Sequence, residues 1–221
     1  MKYFIFSIDD GTIYDEKVIE ILNKYNFKGT FNLNSGLQDF VWYKDDKPVE
    51  RNKLLEVKDI YKGHEIASHS LTHPFLTSCP DEIVFTEVNE DVNNLQNIFN
   101  QEIVTFGFPF EDFDERCIDI IARIQNIRII RLSEIDRSFN FPQDLHHVKI
   151  TSWDIDEALS LFDEFASNKE AKLFVFVAHA YDFEFGNTYE KLDLLCQKIK
   201  ERDDIEVIPM KSLLDIFNNV L

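Results

Sequence analysis

The feature that most constrains this 221-residue chain is a rhythm along its length. Short apolar runs alternate with stretches in which apolar residues recur every three to four positions, the signatures of buried strands and one-sided helices. Residues 3–8 (YFIFSI) read as a strand that runs straight into Asp9-Asp10-Gly11. Residues 16–25 then place Val18, Ile21, Leu22 and Tyr25 on one helical face. Further strands are expected at 30–33, 64–68, 104–106, 127–132, 147–150, 173–178 and 206–208, with helices at 80–99, 115–125, 156–167 and 189–202. Strands alternating with helices imply a parallel sheet covered by helices. Seven or eight such units predict an α/β fold of the distorted (β/α) barrel type, in a single domain spanning 1–221. No repeat, linker or low-complexity segment divides the chain, and the polar stretch 38–53 reads as a surface insertion.

Composition narrows the partners. Apolar residues make up 44% and charged residues 29%, ordinary globular usage that argues against disorder. The net charge of −18 repels phosphate backbones and anionic lipid, so neither nucleic acid nor a membrane surface is an expected partner. Cys79, Cys117 and Cys196 are odd in number and form no CxxC pair, which fits neither a disulfide framework nor a cysteine zinc site. The apolar run at the N-terminus is too short for a signal-peptide core. A cytoplasmic protein is the expectation, and nothing in the sequence specifies an oligomeric state.

In a βα barrel, chemistry gathers at the C-terminal ends of the strands. Asp9-Asp10-Gly11 lies at one such end, where adjacent carboxylates repel unless a cation or hydrogen bonds compensate them. Asp-Gly also forms ordinary turns. His69-Ser70-Leu71-Thr72-His73 follows the third expected strand, and two histidines four apart can reach one metal. Pro74 disfavours a regular helix at His73, which places the pair on a loop. An aspartate with two histidines leaves a coordination position open for water. His179 ends the most apolar run, LFVFVAH, either as a satisfied core histidine or as a third reactive strand end.

In this order the residues resemble the polysaccharide deacetylases, the NodB-homology carbohydrate esterases, from residue 4 to about 210. SIDDG at 7–11 is similar to the first motif, usually TFDDG, and HSLTH at 69–73 matches the second, H[ST]xxH. GFPF at 107–110 occupies the place of the third, RxPY, and VAH at 177–179 that of the fifth, LxH. The resemblance implies Asp9 as general base, His179 as general acid, and Asp10, His69 and His73 as ligands of one divalent metal. Zinc is the default ion, with Co, Mn or Ni also suited to two nitrogens and a carboxylate. It also implies Pro109 and Phe110 as substrate-binding residues. There are two departures. Gly107 stands where the family has arginine, and Phe110 replaces tyrosine; Arg131 on a neighbouring strand is the candidate replacement for the missing charge, or else an ordinary surface arginine. The fourth motif, an aspartate before a tryptophan, has only Trp153-Asp154 in reverse order, with His146-His147 nearby as a loop pair or a second metal site.

The expected function is a metal-dependent hydrolase that removes acetyl groups from an N- or O-acetylated sugar or oligosaccharide. The alternatives are an allantoinase-like hydrolase opening a cyclic amide in a small nitrogen metabolite, and a catalytically weak glycan-binding relative.

Overall fold

The computed structural model describes residues 1–220. Along the chain run β1 (Lys2–Asp9), α1 (Asp15–Lys24), β2 (Thr30–Leu33), β3 (Val41–Lys44), β4 (Lys47–Glu50), the short α2 (Leu54–Val57) and β5 (Glu65–Ser68). Then come α3 (Asp81–Phe99), β6 (Thr105–Gly107), α4 (Glu115–Ile121), β7 (Ile129–Ile135), β8 (Val148–Ile150) and α5 (Ile155–Ser167). The chain continues through β9 (Leu173–His179), α6 (Ala180–Gly186), α7 (Tyr189–Lys200), β10 (Ile205–Val207) and α8 (Leu213–Val220).

Strands β1, β2, β5, β6, β7 and β8 pair in that order, all parallel, and β9 lies on the opposite edge of β1. Past the end of β8, Thr151 N–H donates to the Val175 carbonyl at 2.8 Å and Val177 N–H donates to the Ser152 carbonyl at 2.9 Å. That contact brings the sheet back to β9 and curls it into a distorted barrel, with β10 set against the first half of β1. The α/β barrel predicted from the alternation of strands and helices is the architecture observed. Among the described residues, no helix is long and apolar enough to cross a membrane.

Two-residue periodicity sorts each strand into an inside and an outside. Phe4, Phe6 and Ile8 of β1 and Phe174 and Phe176 of β9 join Val18 and Leu22 of α1 in the larger core, between sheet and helices. Ile5, Val175 and Val177 join Ile129, Val148 and Ile150 in a smaller core within the barrel. The same parity sends Asp9 and His179 inward at the upper ends of adjacent strands, where they are register partners. At the lower end, Glu65 accepts from Thr30 Oγ1 at 2.8 Å, Thr105 Oγ1 at 2.6 Å and Lys211 N–H at 2.8 Å, a polar plug.

Three features depart from the sequence expectation. Helix α4 ends at Ile121 rather than 125, because successive i→i+3 turns at Ile124 and Ile127 bury both of those side chains. The segment after His179, where no element was expected, forms α6. Residues 38–53 contain an antiparallel hairpin, β3–β4, whose Asp45-Asp46 turn takes positive φ at both residues, as a two-residue hairpin turn requires.

Asp15 opens α1 fully buried, accepting from Thr12 N–H at 3.1 Å and Tyr61 Oη at 2.8 Å. Burial pushes its carboxyl up to about 7, with the hydrogen bonds from Tyr61 and Thr12 opposing the rise only in part. The folded protein therefore holds a proton that an unfolded aspartate, titrating near about 4, has already released. The contribution to stability is complete below pH ~4 and is lost as pH rises through about 7. Asp15→Asn is expected to flatten that part of the decline in denaturant-unfolding free energy between pH 5 and pH 8. A profile parallel to that of the wild type would refute this assignment.

Candidate active site

Asp9 ends β1 nearly without solvent contact. Asn32, its register partner on β2, donates to Oδ1 at 2.7 Å, and Arg131 Nη2 donates to Oδ2 at 2.8 Å. Burial pushes the Asp9 carboxyl up, and the Arg131 guanidinium opposes that shift. Asp10, at φ 84°, leaves the strand in the left-handed region, and it turns a second carboxylate toward the histidines. Arg51 Nη2 lies 3.0 Å from Asp10 Oδ1, and Tyr181 Oη donates to Asp10 Oδ2 at 3.2 Å. Burial favours the neutral acid, but Arg51 and the surrounding histidines hold Asp10 well below the usual carboxylate range.

His69 follows β5 and His73 follows on the same loop, with Ser70 and His73 both at positive φ. His69 Nδ1 is 2.7 Å from the Gly107 carbonyl, an acceptor only, so the ring is protonated at Nδ1 and its Nε2 carries the lone pair. His73 Nε2 is 3.3 Å from Asp10 Oδ1. Burial lowers both imidazoles to about 3 and keeps them neutral, the form a metal requires. One ligand atom each from Asp10, His69 and His73 lie within 4.8 Å of one another, and this is the one such cluster among the described residues. Beneath them Asp91 of α3 accepts from Ser68 Oγ at 2.6 Å and from His69 N–H at 3.3 Å, which fixes the start of the loop.

Arg131 is 1% exposed, so it is no surface arginine. It pairs in register with Gly107 across β6 and β7. A Cβ at Gly107 would stand 2.5 Å from Arg131 Nη2, so the missing side chain on one strand makes room for the guanidinium from the next.

His179 closes β9, half-buried, with Nδ1 3.1 Å from Asp182 Oδ2 and Nε2 3.9 Å from Asp10 Oδ2. Its ring stacks on Tyr181, with centroids 4.9 Å apart. Burial lowers the imidazole's tendency to protonate, but Asp182 and then Asp10 outweigh it, and the net direction is upward.

A cleft of about 880 Å³ is lined by Asp9, Asp10, His69, His73, Arg131 and His179 together. Trp42, Trp153 and Phe110 stand along its walls, and Phe110 stacks on Phe75 at 4.1 Å. The expected pair Pro109 and Phe110 divides. The chain reverses at Phe110, φ 57°, which leaves Phe110 on the cleft and Pro109 buried away from it, with Phe108 lining the floor instead. Trp153 reaches the cleft, but Asp154 caps α5 by accepting from Glu157 N–H at 2.8 Å. His147 is bound to Asp144 at 2.9 Å outside the cleft.

The reading of 38–53 as surface needs the same correction. The β3–β4 strands are largely exposed, yet Arg51 just beyond them is buried, because Arg51 and Asn52 pair with the backbone that follows Asp9-Asp10. Arg51, Asp182, Tyr181 and Asn32 were not legible as site residues. Only Asp182 left a trace, an acid three positions after a strand-end histidine.

The family described as polysaccharide deacetylase matches residues 1–126, more than half of the sequence. The chain belongs to that family. Among curated members, it is 27% identical over 125 residues to the uncharacterized protein YlxY of Bacillus subtilis, covering 57% of this chain and 36% of that protein. It is 26% identical over 145 residues to chitin deacetylase 1 of Cryptococcus neoformans var. grubii, covering 64% and 28%. The chain thus matches only about a third of the length of these relatives. Among solved structures, the family 4 domain of a multidomain xylanase from the hindgut metagenome of Trinervitermes trinervoides superposes at TM-score 0.66 with 18% identity, covering 98% and 91% of the two chains. An acetyl xylan esterase from Clostridium thermocellum, in complex with cobalt, gives 0.66 at 16% identity, covering 97% and 91%. A family 4 pseudoenzyme from Bacillus anthracis gives 0.65 at 19% identity, covering 96% and 65%. The deacetylase fold is thus shared by an esterase and a pseudoenzyme alike.

Proposed function

We propose that this deacetylase-family protein is a metal-dependent hydrolase removing acetyl groups from an N- or O-acetylated sugar or oligosaccharide. One observation carries the proposal: Asp9, the Asp10–His69–His73 cluster and His179 share a single cleft, each with the partners its role needs. The donor set fits a divalent ion, with an ionised carboxylate and two neutral imidazoles converging. Zinc is the ion we favour, and the cobalt bound by the Clostridium thermocellum esterase is compatible with the same donors. When bound, the ion would polarise the acyl carbonyl and acidify a water.

The remaining work falls to the side chains. Asp9, held by Asn32 and Arg131, takes the proton from the attacking water. His179, tied through Nδ1 to Asp182, presents Nε2 toward the reacting centre and delivers a proton to the departing amine or alkoxide. Trp42, Trp153 and Phe110 offer apolar faces suited to a pyranose ring.

The test is acetate release from acetylated chito- and xylo-oligosaccharides by zinc-loaded and chelator-treated protein, with cyclic ureides in parallel. Release that depends on zinc is the expected result. Ureide turnover without acetate release would redirect the assignment to cyclic-amide hydrolysis, and no turnover at all would refute it.

A further inference from the structure

We propose that Lys44, at the tip of the β3–β4 hairpin, is a positioning residue for His179 that acts through Asp182. The inference rests on the hydrolase reading above.

Asp182 uses its two oxygens for two different partners. Oδ1 forms an ion pair with Lys44 Nζ, and Oδ2 faces His179 Nδ1 at 3.1 Å. A carboxylate held at one oxygen by a cation presents the other in a fixed direction. The helix start makes this possible: His179 is the residue before α6 and Asp182 lies in its first turn, so the carboxylate reaches back over one turn to the imidazole. Lys44 also lies 4.9 Å from the Tyr181 ring centroid, and Tyr181 is the ring stacked on His179. Trp42, two residues earlier on β3, meets Tyr181 edge-on at 5.7 Å. Lys47, across the turn, donates to the Phe185 carbonyl in the last turn of α6 at 3.3 Å. The hairpin therefore grips α6 at both ends, and the imidazole sits at the gripped N-terminal end.

Stability alone does not account for the ion pair. The Lys44 and Asp182 side chains are 42% and 41% exposed, and ion pairs that open to solvent contribute little to folding. What the pair does set is the Asp182 rotamer, and with it the ring orientation from which His179 gives up its proton.

Lys44→Met, Lys44→Arg, Asp182→Asn and the double variant Lys44→Met/Asp182→Asn are to be assayed on two probes. One is an N-acetylated chitooligosaccharide, whose amine leaving group needs a proton. The other is 4-nitrophenyl acetate, whose phenolate leaves without one. Lys44→Met is expected to lower kcat on the amide about tenfold with KM and Tm nearly unchanged, and to affect the aryl ester by less than about twofold. Asp182→Asn should lose about 10–100-fold on the amide, the double variant no more than that, and Lys44→Arg should recover most of the wild-type rate. Nitrogen-15 histidine NMR of the zinc-loaded protein, read with the ring neutral, gives a second readout: Asp182 holds the neutral wild-type ring in its Nδ1–H tautomer, and Lys44→Met should mix in the Nε2–H tautomer.

The proposal is overturned if Lys44→Met leaves both the amide kcat and the His179 signals as in the wild type, or if both probes fall equally. Absence of wild-type turnover on either probe would count against the hydrolase reading instead. The NMR comparison would still decide the role of Lys44.

Discussion

Asp9→Asn is expected to keep its divalent ion and lose roughly a hundredfold or more in rate, the usual scale for removing a general base. Asp9 is engaged by Asn32 and Arg131, whereas the converging donor set is built on Asp10. An asparagine of the same shape leaves Asp10, His69 and His73 in place and still offers an oxygen to Arg131, but it leaves that buried guanidinium without its counter-charge, so a destabilisation of about 3–5 kcal/mol is expected alongside the rate loss. Elemental analysis and kcat measured on one preparation check both halves. Turnover near the wild-type level would show that Asp9 is not the base.

The second large effect concerns the guanidinium behind Asp9. Arg131→Met leaves a buried carboxylate without its cation, and breaking one side of a buried pair destabilises by about 3–5 kcal/mol. The rate should fall as well, because Asp9 loses the donor that holds Oδ2 at 2.8 Å. Gly107→Arg alone should also be harmful, since it forces a second side chain into space the Arg131 guanidinium already occupies. Combined, the two changes move one guanidinium from β7 to β6, the strand from which the family's third motif supplies it. The double variant is expected to regain at least half of the stability and activity lost by Arg131→Met, as measured by denaturant unfolding and kcat. A double variant no better than the worse single one would show that exchange between strands does not explain Gly107.

The barrel and its active edge were legible in the sequence for the same physical reason. Alternation within a strand decides which residues face inward, and a run such as LFVFVAH carries both the core pattern and the reactive terminus. His69 and His73 stood out because their spacing and the following Pro74 are local features. Arg131 was legible only through the absence of arginine at 107, and its contact with Asp9 spans 122 residues. Arg51 was hidden for a different reason. It lies in a polar stretch with no core pattern, and only the backbone pairing of Thr12 with Arg51 carries it under Asp10. Asp182 was hidden because seven residues of mixed aromatic and acidic character do not announce a helix, so its distance to His179 could not be read.

The bound divalent ion per chain, measured by elemental analysis in the wild type, His69→Ala and His73→Ala after zinc loading and desalting, tests the central claim most directly. The account predicts one ion per chain in the wild type and loss of tight binding in both variants, because each removes one of three converging donors. Unchanged stoichiometry in both variants would contradict it and remove the Asp10–His69–His73 site.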